Sequence, residues 1–157
     1  MIVKNLRESR EMLDIKQKDI AKTFNVNFST VSGWETGKDT IPIRRLIDYA
    51  NHFNYSLDYL FGLTRHNTNY EPLNINLELI AKNLRIIRKQ NKLTQAELAK
   101  KLNTTQASYS HYENATNIIP TVFLYNLTKI YKPFSIDELL GLSLIHISEP
   151  TRHLRIS

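Results

Sequence analysis

The sequence predicts an all-α chain made of two tandem five-helix domains. Three observations carry this. Lys4-Asn5-Leu6-Arg7 recurs as Lys82-Asn83-Leu84-Arg85, and holding that offset of 78 from Lys4 to Pro42 gives 13 identities in 39 positions. Within each copy, apolar residues recur at three- and four-residue spacing between turn-forming residues. No stretch alternates apolar and polar residues well enough to make a strand. After one inserted residue near Pro133, Ser56-Leu57-Asp58 aligns with Ser135-Ile136-Asp137, and Gly62 with Gly141. A unit of about 60 residues is near the lower limit for independent folding and longer than a typical solenoid repeat. Domains are therefore expected at residues 1–63 and 77–141. The polar stretch 64–76, with Asn67-Thr68-Asn69 and Glu71-Pro72, is expected to be the linker.

The elements of copy one follow in order. Leu6, Arg10 and Leu13 share a face at i, i+4, i+7, and Ile20, Ala21 and Phe24 continue the helical spacing. Asn25-Val26-Asn27 breaks the pattern, and Asn27 is suited to cap the next helix. From Phe28 to Thr36, Val31 and Trp34 fall on one side. Gly37-Lys38-Asp39-Thr40 is a loop, and Pro42 suits the first turn of a fourth helix. That helix, about 43–54, should bury Leu46, Ile47, Ala50 and Phe53. Ser56 then caps a short fifth helix carrying Leu57 and Leu60.

Composition excludes several classes. With 41% hydrophobic and 23% charged residues the 157-residue chain is neither disordered nor membrane-spanning, and no run of 18 apolar residues exists. Absence of cysteine removes disulfides, Cys-ligated zinc and Fe–S clusters. Four glycines leave no phosphate-cradling loop. Met1-Ile2-Val3-Lys4-Asn5 has no signal-peptide core, so a cytoplasmic chain is the default expectation. The net charge of +6 is compatible with nucleic acid.

One segment is set aside. Leu142–Arg152, LSLIHISEPTR, resembles the translation of a transposase sequencing-library adapter over eleven consecutive residues, and the register resumes at Ile156-Ser157. Residues 142–157 are therefore expected to be a non-native tail, and the folded chain is expected to run to Gly141.

In each copy two short helices flank a tight turn, the helix-turn-helix arrangement whose second helix can enter the major groove. Copy two reads LTQAELAKKLNTTQASYSHYENA, then Pro120, then SIDELLGL; copy one reads IKQKDIAKTFNVNFSTVSGWETGK, then Pro42, then SLDYLFGL. Both resemble the phage-repressor-type (Cro-like, XRE) helix-turn-helix family over about 4–62 and 82–141. The resemblance implies recognition helices at Phe28–Glu35 and Gln106–Glu113. Their outward positions would be Phe28, Ser29, Thr30, Ser32 and Gly33, and Gln106, Ala107, Ser108, Ser110 and His111. It also implies that Gln17 and Gln95 touch phosphate and brace the recognition helix. Lys38 joins these as a candidate DNA contact. Arg10 with Glu35, and Arg88 with Glu113, are implied structural ion pairs. Gln106 can pair with an adenine edge, Ala107 can touch a thymine methyl, and the small hydroxyls allow close approach. Trp34 and Tyr112 are expected in the core.

The copies differ in charge. Lys4–Lys38 holds seven basic and five acidic residues, whereas Lys82–Thr116 holds seven and two. Phosphate neutralisation dominates affinity, so copy two should be the stronger DNA binder. Ala115 replaces the glycine seen as Gly37, which strains the loop if φ must be positive there.

The expected function is a sequence-specific double-stranded DNA-binding transcriptional regulator of repressor type. No enzyme chemistry, cofactor, metal or membrane association is expected. The five histidines include no His-x-x-x-His or HExxH spacing, and Asp58 and Asp137 suit helix starts. The rival is an antitoxin-like module whose main contact is a protein partner, a use that an exposed Phe28 would favour. The sequence leaves open whether the tandem chain is a covalent pseudo-dimer or forms a homodimer. Half-sites one turn apart lie about 34 Å from each other, and the 14 residues from Leu63 to Asn76 reach at most roughly 46–50 Å.

Overall fold

The structure, a computed structural model, describes residues 1–67 and 71–141. The expected non-native tail and residues 68–70 lie outside the described residues. Among the described residues all ten regular elements are helices: α1 Leu6–Met12, α2 Gln17–Thr23, α3 Phe28–Thr36, α4 Ile43–Phe53, α5 Leu57–Leu60, α6 Leu77–Gln90, α7 Gln95–Lys101, α8 Gln106–Glu113, α9 Thr121–Ile130 and α10 Ile136–Gly141. The chain divides into two compact units. The first comprises Met1–Pro72 with Pro120–Tyr125; the second comprises Leu73–Ile119 and the described residues from Asn126 onward. The first half of α9 thus clusters apart from the rest of that helix.

The repeat survives as buried pairs. Leu6 and Leu84, Ile20 and Leu98, Ala21 and Ala99, Ile41 and Ile119, and Leu46 and Leu124 are all buried. Leucine and isoleucine at helical spacing supply the apolar stripe that drives each helix onto its neighbours. In unit one α3 packs on α1 and α2, and in unit two α8 packs on α6 and α7. Asn5 Nδ2 donates to Tyr59 O at 2.8 Å and Asn83 Nδ2 to Leu139 O at 2.9 Å. The repeated asparagine therefore ties the first helix of each copy to its fifth.

Turns repeat as faithfully. Asp14 and Lys92, Asn25 and Asn103, and Gly37 and Ala115 each adopt positive φ at the offset of 78. Ala115 sits at φ 59°, so the loop that glycine serves in unit one is strained in unit two.

Several local expectations need correction. Asn27 occupies the N-cap of α3 but makes no side-chain cap bond, whereas Thr105 Oγ1 accepts from Ser108 N at 3.1 Å at the start of α8. Pro42 is the N-cap of α4, with ψ 146°, and not part of its first turn. Extended ψ is natural for proline, and no N–H is needed at that position. Leu13 follows α1 and is exposed. The caps of α5 and α10 are Ser56 and Ser135, whose Oγ atoms accept from Tyr59 N and Glu138 N at 3.1 Å. Asp58 and Asp137 stand in the first turns, where a carboxylate interacts favourably with the helix dipole. Trp34 is buried, but its counterpart Tyr112 is half-buried, while Val31 and its counterpart Tyr109 are both buried.

The ends of the expected linker are docked on their own units. Asn67 Oδ1 accepts from Ser56 N at 2.7 Å, and Asn67 Nδ2 donates to Asn54 O at 2.8 Å. Leu73 packs against Gly141.

The strained loop gives the first prediction. Ala115→Gly should stabilise the second unit by about 1 kcal/mol, seen as a higher urea midpoint at unchanged m. A lowered midpoint would mean that the left-handed conformation is not adopted.

Candidate nucleic-acid interface

Each unit holds one buried carboxylate where three helices meet. Glu35, at the end of α3, is 3% exposed, and Glu113, at the end of α8, is 1% exposed. Arg10 Nε donates to Glu35 Oε2 at 2.6 Å and its Nη2 to Oε1 at 3.0 Å. Arg88 makes the same fork on Glu113 at 2.7 and 3.0 Å. The planar guanidinium matches a carboxylate in this bidentate way, which fixes orientation as well as distance. From the second helix, Gln17 Nε2 donates to Glu35 Oε1 at 3.0 Å and Gln95 Nε2 to Glu113 Oε1 at 3.1 Å. The arginine's remaining Nη1 donates to Ile15 O, or Leu93 O, at 2.8 Å in the turn between the first two helices. One ion pair thereby sets the mutual placement of the first helix, the following turn, the second helix and the third.

Sequence reasoning did not assign Arg7 and Arg85 to this centre. Their Nε atoms stand 3.6 Å and 4.0 Å from the carboxylates, and Arg85 Nη2 also donates to Glu113 O at 3.0 Å. The signal was present: each arginine lies three residues before the pairing arginine, hence on the same face, and both recur. Arg7 and Arg85 are about half exposed, so solvent screens most of their attraction.

Burial pushes the Glu35 and Glu113 carboxyls up. Hydrogen bonds from Arg10 and Gln17, or Arg88 and Gln95, and the arginine charges outweigh it, holding both below the usual carboxylate value. The hydrogen bond to the carboxylate correspondingly raises Arg10 and Arg88, against desolvation.

The candidate contact residues sort into two groups. Phe28, Ser29, Lys38, Gln106, Ala107, Ser108 and His111 are exposed, whereas Thr30, Ser32, Ser110, Gln17 and Gln95 are half-buried. The amides of Gln17 and Gln95 turn inward to the carboxylate, so these side chains brace the third helix. Thr105 Oγ1 donates to Ser108 Oγ at 3.0 Å, and Ser110 Oγ donates to Ala107 O at 2.8 Å, so the latter hydroxyl's proton is used within its own helix. Gly33 is corrected: it is buried, not outward. A Cβ there would lie 2.5 Å from Asp39 Oδ2, and Asp39 N donates to Gly33 O at 3.1 Å. The corresponding positions in copy two are His111, which is exposed, and Asn117, which is neutral.

The outcome is a third helix clamped from behind in each unit. On α8 the free face carries Gln106, Ala107 and His111. Side chains of this kind, on the exposed face of a helix held from behind, can reach base edges.

Glu113→Gln should destabilise the second unit strongly, by about 3–5 kcal/mol, because Arg88 is left buried without its counter-charge. The native carboxyl lies below the unfolded value of 4.5, so its stabilisation is complete above that value. It drains away as pH falls from there toward the lowered native value. Stability measured by urea unfolding should therefore drop on acidification below about pH 4.5 in the wild type and drop less steeply in the variant. Equal slopes would show that Glu113 does not carry the linkage.

No helix among the described residues is long and apolar enough to cross a membrane. The comparisons with curated proteins and with solved structures returned no significant match. A protein-family model described as helix-turn-helix matches the chain twice, over residues 6–60 and 84–139. These spans take in both carboxylate centres and both third helices. The chain is thus a tandem member of the XRE-type helix-turn-helix family of DNA-binding transcriptional regulators.

Proposed function

We propose that the chain is a sequence-specific regulator of repressor type that places the third helix of each unit in the major groove of double-stranded DNA. The second unit supplies most of the affinity. The observation that carries this reading is the outer face of α8. Gln106, Ala107, Ser108 and His111 are exposed there, on a helix whose inner end is fixed by the Glu113 centre. Gln106 is suited to pair with an adenine edge and Ala107 to meet a thymine methyl. Around this helix, copy two carries seven cations against two carboxylates between Lys82 and Thr116, including exposed Lys89, Lys92, Lys100 and Lys101. Affinity of this kind comes first from the phosphates.

The first unit is built less favourably for DNA. The Asp39 carboxylate lies over the middle of α3, against Gly33, where copy two has Asn117. A carboxylate close to a groove-facing helix repels the phosphate backbone and leaves room for fewer base contacts. The first unit then adds a weaker contact.

Gel-shift titrations with selected genomic fragments test this. Binding through six to ten phosphates should weaken by about 10³–10⁵ between 50 and 200 mM salt. A salt-insensitive complex with a co-purifying protein would favour the partner-binding alternative instead. Gln106→Ala and Lys89→Ala should weaken binding more than Thr30→Ala and Lys18→Ala, with loss of the Gln106 pair costing about 1–3 kcal/mol. The reverse ranking would place the main contact in the first unit. Asp39→Asn should tighten binding at low salt on the order of two- to fivefold. No change would mean that this carboxylate does not face the duplex.

A further inference from the structure

The two third helices present unlike heads to whatever they meet. At the offset of 78, Phe28 stands where copy two has Gln106, and Gly33 where it has His111. On α8 both counterparts are exposed. On α3 the middle position is closed: Gly33 is buried and Asp39 occupies the space that a side chain would need. Ser29 is exposed but short, and Thr30 and Ser32 are half-buried. The buried side of the helix is formed by Val31, Trp34 and Glu35 together with Gly33. That leaves Phe28, in the first turn and 58% exposed, as the one large side chain on the free face of α3.

A phenyl ring has neither a hydrogen-bond donor nor a charge with which to read a polar edge. In the major groove, guanine offers N7 and O6, adenine N7 and an amino group, and cytosine an amino group. Thymine alone adds a methyl group. Pressed against the first three, the ring would dry their polar atoms without pairing them, which costs free energy. Pressed against the thymine methyl, it removes apolar surface from water on both sides. Selection thus works by attraction to one base and by a penalty at the others.

We infer that Phe28 is the specificity-determining residue of the first unit and selects thymine through its 5-methyl group. The two units then read different half-sites, thymine being required under Phe28 while Gln106 pairs with adenine in the other half. Within one chain the two half-sites are therefore unlike. This inference rests on the duplex-reading function proposed above.

Selection from a random duplex pool, run in parallel with the full wild-type chain and with Phe28→Ala, tests it. The wild type should enrich an asymmetric site with an invariant thymine in one half. Phe28→Ala should lose the preference at that position and keep the preferences in the other half. Replacing that thymine by deoxyuridine, which removes only the methyl group, should weaken wild-type binding about fourfold. The same replacement should leave Phe28→Ala unaffected. Because Phe28 is exposed, the variant should keep the wild-type circular dichroism and melting midpoint. A wild-type site in which deoxyuridine binds as well as thymine overturns the inference while leaving the DNA function standing. So does a Phe28→Ala chain with unchanged selection, which would point to a protein partner for this ring. Failure to enrich any sequence overturns the inference together with the function on which it rests.

Discussion

A charge that water no longer reaches organises each half of this chain. Glu35 and Glu113 sit at the ends of the third helices and are closed over by their own units. Left alone, such a carboxylate would take up a proton or break the fold. Here an arginine from the first helix meets it with two parallel hydrogen bonds, and a glutamine from the second helix adds a third. A buried pair of this kind is poor evidence for extra stability, because desolvating both partners offsets most of their attraction. What it supplies is geometry. The fork admits one orientation, so the third helix can be held by one end and one side while its opposite face stays free for a ligand.

The same arrangement explains why two copies that share a scaffold differ at the surface. The residues that meet the carboxylate are identical in both: Arg7, Arg10, Gln17 and Glu35 become Arg85, Arg88, Gln95 and Glu113. Exposed residues of the third helix are free to diverge because none of them holds the helix in place. Phe28 against Gln106 changes the chemistry that the free face presents, and Asp39 against Asn117 changes the local charge. Neither change touches the centre behind. The copies also reach a stable turn after the third helix by different means, glycine in one and a strained alanine in the other.

Much of this was legible in the sequence. The offset of 78 and the spacing of Leu6, Ile20, Ala21 and Leu46 followed from periodicity, because these residues act through regular helical geometry, and the Arg–Glu pairs followed from the family resemblance. The places where the sequence misled depend on contacts between segments. Gly33 was expected to face outward, but Asp39, six residues on, folds back over it. Asn27 has the chemistry of a cap and does not act as one, while Thr105 does. Tyr112 was expected in the core because an aromatic at that helical spacing usually packs inward; it is half-buried, beside the fully buried Tyr109. The inward turn of Gln17 and Gln95 fits the bracing that the resemblance implied.

Backbone amide chemical shifts of a ¹⁵N-labelled chain, followed as a short duplex is added at low ionic strength, test the central claim most directly. The account predicts that the largest perturbations fall on the free faces of the third helices, at Gln106, Ala107 and His111 first and at Phe28 and Ser29 with more duplex. Glu113 and Gln95 should keep the shifts of an intact carboxylate centre throughout. Perturbations confined to α4, α5 and α10, with the third helices unmoved, would contradict it.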